Sequence, residues 1–133
     1  MVNLNDLAKQ SHKLALKRGK INQFTTDKNF LLDIQKEFAE LLQAKEVGDV
    51  PLMYDRIQLV LDSSTDIDQE NIKEVKEKFK TLLVKKYKNN VSGTKVDEIV
   101  DMIFVLLTYS VHLGIDIELA LQAKLHYNNV RKD

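Results

Sequence analysis

The stretch that decides the fold is KVDEIVDMIFVLLTYSVHLGID, residues 95–116. Eleven of the fifteen residues from Ile99 to Leu113 are apolar, and at 100° per residue such a run points apolar side chains in almost every direction around a helix. Glu98 and Asp101 enter this run three residues apart, so they lie on the same side of the helix. Their carboxylates can avoid the core only near the first turn or in a polar cleft. The stretch therefore predicts a central helix that carries an acidic pair.

Length and composition indicate the class of fold. The chain has 133 residues, enough for one hydrophobic core. Apolar residues make up 44% and charged residues 30%, with four Gly and one Pro, which is typical of a helical globular protein. We expect an all-α bundle with a single domain over residues 1–133 and an extra helical segment at about 49–94.

Charge and cysteine usage exclude several classes of function. Lys and Arg total 20 and so do Asp and Glu, so no overall basic field exists to hold nucleic acid or an anionic membrane. The absence of Cys excludes disulfides and Cys-ligated zinc. The first residues lack the apolar core of a signal peptide, and the longest apolar run, Met102 to Leu107, is too short to span a membrane. We expect a soluble, cytoplasmic protein that binds neither nucleic acid nor a membrane.

Helical spacing of apolar residues recurs in the rest of the chain, without strand-like alternation. Ser92 or Thr94 is a candidate cap for the helix that carries Glu98. The other predicted helices run from a cap at Asn3 or Asn5 to Gly19, from about Lys28 to Gly48, from Pro51 to Leu61, over residues 72–88, and from a cap at Asp116 to about Arg131.

A second acidic pair, Glu37 and Glu40 in KEFAE, lies at the edge of an apolar helical stripe. Two neighbouring helices pack about 8 to 10 Å apart, so four carboxylates can converge between them. Such crowding requires protons or a metal ion, and all-oxygen ligation suits Mg²⁺ or Mn²⁺. A single acidic pair is more often a solvated surface, and Glu74 and Glu77, interleaved with lysines, are predicted to be one.

Three stretches together resemble the MazG-like, all-α nucleoside triphosphate pyrophosphohydrolases. They are LAKQSHKLALKRGK, LLDIQKEFAELLQA with its Glu-x-x-Glu, and DEIVDMIFVLLTYSVHLGIDIELALQAKLHYNNVR with Glu-x-x-Asp and a Lys-x-x-Tyr-Asn-x-x-Arg ending. The resemblance implies a bundle completed by oligomerisation, as a homodimer or homotetramer. It also implies Mg²⁺-dependent cleavage of a nucleoside triphosphate by water, which gives a nucleoside monophosphate and pyrophosphate.

The same resemblance implies roles for individual residues. The metal ligands are Glu37, Glu40, Glu98 and Asp101, and the residues that contact phosphate oxygens are Lys124, Asn128 and Arg131. Either Glu37 or Glu40 orients or deprotonates the attacking water, and the sequence leaves the choice open. For Lys124 and Arg131, the alternative is a solvated last turn whose cations complement the helix dipole.

Two features depart from the family pattern. Lys36 occupies a position where the family often has Glu, and 57 residues separate Glu40 from Glu98, more than is usual. The alternative function is therefore a non-catalytic helical interaction or nucleotide-sensing module of the same fold. A third hypothesis is pyrophosphohydrolysis of a phosphoribosyl nucleotide in histidine synthesis, which uses a similar fold.

Overall fold

The described part of the chain, residues 3–63 and 72–131, is helical and contains no strand in this computed structural model. This confirms the predicted all-α class. The helices are α1 (Leu4–Lys17), α2 (Asp27–Gln43), α3 (Val50–Ser63), α4 (Ile72–Lys86), a π-helical turn (Tyr87–Val91), α5 (Lys95–His112) and α6 (Ile117–Val130).

Both ends of α1 form as the sequence predicts. The Asn3 side chain accepts a hydrogen bond of 3.1 Å from the Asp6 N–H, which satisfies one of the unpaired donors of the first turn. At the other end, Gly19 adopts a left-handed φ of 71°. The Gly19 N–H then reaches the Leu16 carbonyl, and the next N–H reaches the Ala15 carbonyl, which is the Schellman arrangement.

Two helices end earlier than predicted, α2 by about five residues and α4 by two. Helix α2 ends at Gln43 rather than near Gly48, because the Lys45 N–H donates to the Gly93 carbonyl and the Lys45 carbonyl accepts from Lys95. These bonds replace those of a continued helix. Helix α4 ends at Lys86 rather than at residue 88, because the chain continues from Tyr87 as the π-helical turn.

Contacts divide the chain into two compact units, of which the first combines Met1–Glu40 with Val100–Asp133. Its interior contains the apolar side chains of Ala8, Phe30 and Leu107. The Phe30 ring stacks on Tyr109 with centroids 4.8 Å apart, which joins α2 to α5.

The second unit is Leu41–Ile99, and the predicted extra segment at about 49–94 falls within it. Val50 and Val91 are its buried apolar residues. Asp97 accepts hydrogen bonds from the Tyr87 hydroxyl and the Gly93 N–H, so the π-helical turn is joined to the first turn of α5.

Several large apolar side chains of α5 and α6 are exposed among the residues that the structure describes. Ile103 and Leu106 of α5 are 46 and 47% exposed, and Leu119 and Leu125 of α6 are 62 and 61% exposed. No single helix in the described ranges is long and apolar enough to cross a membrane, and α5 with α6 passes that test only as a pair bent by 107°.

Asp116 caps α6 as the sequence predicts. Its carboxylate accepts from the Leu119 N–H at 3.1 Å and from the Asn5 side-chain amide at 2.9 Å, and the Asn5 N–H donates to Glu118. The hydrogen bond from Asn5, followed by that from Leu119, lowers the pKa of Asp116 below its ordinary value of 3.8. One carboxylate thus begins α6 and connects it to α1.

This cap predicts a defined pH dependence of stability. The pKa of Asp116 is lower in the folded chain than in the unfolded chain, so its ionised carboxylate stabilises the fold. This contribution to the free energy of unfolding is complete above pH 3.8 and is lost as the pH falls through the lower pKa of the folded state. Asp116→Asn keeps an oxygen acceptor but carries no charge. We expect wild type to exceed this variant in free energy of unfolding near pH 7, and the difference to shrink near pH 3, measured by urea unfolding. Asp55→Asn, which removes an exposed carboxylate of α3, serves as the control. An unchanged difference between the two pH values would contradict the assignment.

Candidate metal centre

A short backbone connection holds the chain after α2 beside the chain before α5. The Lys45 N–H donates to the Gly93 carbonyl at 3.0 Å, and the Lys95 N–H donates to the Lys45 carbonyl at 2.8 Å. Lys45 and Thr94 thereby form an isolated bridge. Helix α2 ends at Gln43, shortly before this connection, and α5 begins at Lys95, directly after it.

Three carboxylates from α2 and α5 come together. One oxygen each from Glu37, Glu98 and Asp101 lies within 4.8 Å of the others. Glu98 and Asp101 share α5 and are one helical turn apart, and Glu37 and Glu98 are half-buried. The structure thus places three of the four predicted metal ligands together.

Such a group is electrostatically costly without a cation. Two unit charges about 4.8 Å apart repel by about 3.5 kcal/mol at an effective dielectric of about 20. The position of Glu98 in the first turn of α5 offsets part of this repulsion, because helix N-termini favour negative charge. A set of three carboxylates suits a hard divalent ion such as Mg²⁺ or Mn²⁺, which completes its shell with water and phosphate oxygens.

The other acidic residues considered from the sequence differ in their surroundings. Glu40 is half-buried one turn after Glu37 and is not a member of the group of three. Glu74 and Glu77 are exposed and form ion pairs with Lys78 at 3.3 Å and Lys80 at 3.6 Å, respectively. Lysines therefore neutralise this pair locally.

A cavity of about 390 Å³ in the first unit opens beside the carboxylates, and Glu37 and Asp101 line it. Its size falls within the range of small-molecule sites. The polar part of the wall also includes Asp33, Arg18 and Lys20, which sequence reasoning did not select. A usable signal was present for Asp33, since it precedes Glu37 by four residues and so shares its helix face.

The predicted phosphate-contacting residues lie elsewhere on the surface. Lys124, Asn128 and Arg131 are exposed, and none is among the residues that line the cavity. The Lys124 ammonium lies 4.9 Å from the centre of the Tyr127 ring, in a cation–π contact. In the single chain the closing motif therefore does not contribute to the cavity.

Comparison with known proteins adds no assignment. No protein-family model, curated protein or solved structure matches this chain. The MazG-like resemblance stays a prediction that rests on the motifs.

We predict that Mg²⁺ or Mn²⁺ binds this group and stabilises the chain. A metal ion that binds only the folded state raises the free energy of unfolding by RT ln(1 + [metal]/Kd). It therefore also raises the melting temperature. Glu37→Gln removes one of the three carboxylates, so it should lose most of the metal-induced rise in melting temperature, measured by calorimetry. Glu74→Gln, at a solvated carboxylate, should respond to metal as wild type does. An equal metal-induced rise in Glu37→Gln and wild type would contradict the site.

Proposed function

We propose that the protein is a Mg²⁺-dependent nucleotide pyrophosphohydrolase that cleaves a nucleoside triphosphate to the monophosphate and pyrophosphate. The observation that carries this proposal is that Glu37, Glu98 and Asp101 lie close together and that two of them, Glu37 and Asp101, line a ligand-sized cavity. The motif resemblance supports the same reaction. Phosphoryl transfer requires mainly positioning and charge neutralisation, so a site without a nucleophilic side chain suits it.

In this proposal each carboxylate has a defined task. Glu37, Glu98 and Asp101 would hold Mg²⁺. When bound, the ion would neutralise phosphate charge and lower the pKa of a bound water. The water oxygen bonds to the α-phosphorus as the bond to the bridging oxygen breaks, and pyrophosphate leaves. Glu40, one turn from Glu37 and outside the group of three, is available to accept the water proton.

The alternative is a non-catalytic module that binds a nucleotide or a partner helix. It is supported by the exposed apolar residues of α6 and by Lys36, which is exposed on α2 and adds no carboxylate to the group. A nucleotide-binding module differs from the enzyme in turnover, whereas a module that binds only a partner helix differs also in ligand binding. The third hypothesis is the same hydrolysis with a phosphoribosyl nucleotide as the substrate.

The proposal predicts metal-dependent pyrophosphate release. Wild type with Mg²⁺ should release pyrophosphate from at least one member of a panel of common, damaged and phosphoribosyl nucleotides. Glu98→Gln should lower kcat/KM by at least about a hundredfold, which corresponds to about 2.7 kcal/mol of lost transition-state stabilisation. Glu77→Gln should leave the rate unchanged. Metal and nucleotide binding without turnover, measured by calorimetry, would favour the non-catalytic module.

We also propose that the protein works as a homodimer or homotetramer. The exposed apolar side chains of α5 and α6 support this, because monomeric proteins rarely expose large contiguous apolar patches. An isologous interface would bury the same residues twice, once on each subunit.

Light scattering coupled to gel filtration tests this proposal. Wild type should elute with twice or four times the chain mass of 15.3 kDa. Leu121→Asp should shift the mass toward the monomer, because it places a charge on an apolar face of α6. Gln122→Asp, a charge at the neighbouring polar position, should not. A monomeric wild type at about 100 μM would overturn the proposal.

A further inference from the structure

Two cations at the end of α1 share the cavity with the acidic group. Arg18 and Lys20 line its wall together with Glu37 and Asp101, whereas the neighbouring Lys13 and Lys17 do not. We propose that Arg18 and Lys20 bind the phosphate groups of the substrate, an inference that rests on the proposed function. It assigns to α1 a role that the sequence motifs placed on α6.

The local backbone explains why these two residues share one side of the chain. Arg18 is the last residue of the helical path, and its N–H still donates to the Leu14 carbonyl. Gly19 then reverses the chain with its left-handed φ, and the Lys20 N–H returns to the Ala15 carbonyl. The Schellman turn thereby folds Lys20 back toward the helix it has just left.

The chemistry of the cavity wall requires such cations if a polyanion is to enter. Asp33, Glu37 and Asp101 together carry up to three negative charges, which repel phosphates. Metal held by the carboxylates removes part of that repulsion. Arg18 offers a planar fork that pairs two phosphate oxygens, and Lys20 offers a point charge with three donors.

The rest of the wall suits the organic part of a single nucleotide. Phe104 and Leu14 are 38 and 50% exposed and border the cavity, so a base can pack on them. Ser11 and Thr108, whose hydroxyl oxygens are 2.7 Å apart, add hydrogen-bonding groups to the same wall. The ligand class is therefore a mononucleotide with clustered phosphates.

The test measures binding without turnover. Calorimetric titrations with Mg²⁺ use two probes, inorganic triphosphate and the α,β-imido analogues of the common nucleoside triphosphates. Arg18→Gln/Lys20→Gln should bind both probes at least about tenfold more weakly, equivalent to about 1.4 kcal/mol. A similar loss for inorganic triphosphate, which has no base, identifies phosphate as the group that is contacted.

Matched variants separate a charge effect from a folding defect. Lys13→Gln/Lys17→Gln removes the same charge from α1 outside the cavity wall and should bind within about twofold of wild type. Arg18→Lys/Lys20→Arg keeps both charges and should recover most of the affinity. Circular dichroism and melting temperature show whether each variant is folded.

The outcomes distinguish this inference from the proposed function. If Arg18→Gln/Lys20→Gln binds triphosphate as wild type does while Lys124→Gln/Arg131→Gln does not, the inference is overturned and the proposed function stands. If Arg18→Gln/Lys20→Gln and Lys13→Gln/Lys17→Gln weaken binding equally, the loss reflects total charge rather than the cavity wall. The inference is then also overturned. If wild type binds neither probe and releases no pyrophosphate, both proposals fail.

Discussion

Repulsion between carboxylates held at short distance is the constraint on which the candidate site depends. Helices α2 and α5 carry Glu37, Glu98 and Asp101 and bring one oxygen of each within 4.8 Å of the others. Like charges at such distances repel each other, and a nearby cation reduces that repulsion. Under the proposed function, a divalent ion bound to these carboxylates relieves the repulsion, so it stabilises the folded chain.

Two adjacent carboxylates of α5, Asp97 and Glu98, have different surroundings because successive residues point in different directions around a helix. Asp97 accepts from the Tyr87 hydroxyl and the Gly93 N–H, and its charge is used to join the π-helical turn to α5. Burial, and to a smaller extent the charge of Asp97, raise the pKa of Tyr54. Glu98 follows Asp97 by 100° around the helix, and it belongs to the acidic group instead.

The sequence predicted those features that depend on local contacts. The caps at Asn3 and Asp116 were predictable because each uses a backbone N–H three residues away. The early end of α2 was not, because Lys45 bonds to Gly93, which is distant in sequence. Thr94 was a predicted cap of α5 and directly precedes that helix. Its hydroxyl donates to the Val91 carbonyl, a backbone group that precedes the helix.

The same distinction applies to the site. Glu98 and Asp101 lie on one helix, so their position on a common face could be predicted from their spacing in the sequence. The membership of Arg18 and Lys20 in the cavity wall arises only when α1, α2 and α5 pack together.

The balance of charge also restricts what this cavity can bind. With 20 basic and 20 acidic residues, the chain generates no long-range field, and beyond about 10 Å surface charges are screened at ordinary ionic strength. Attraction for an anion must then come from charges that lie close to it, here Arg18, Lys20 and any metal on the acidic group. A polynucleotide spreads its charges along its length and gains little from so local an arrangement. A triphosphate concentrates several charges within a few ångströms, so the local arrangement of charge is consistent with the small ligand of the proposed function.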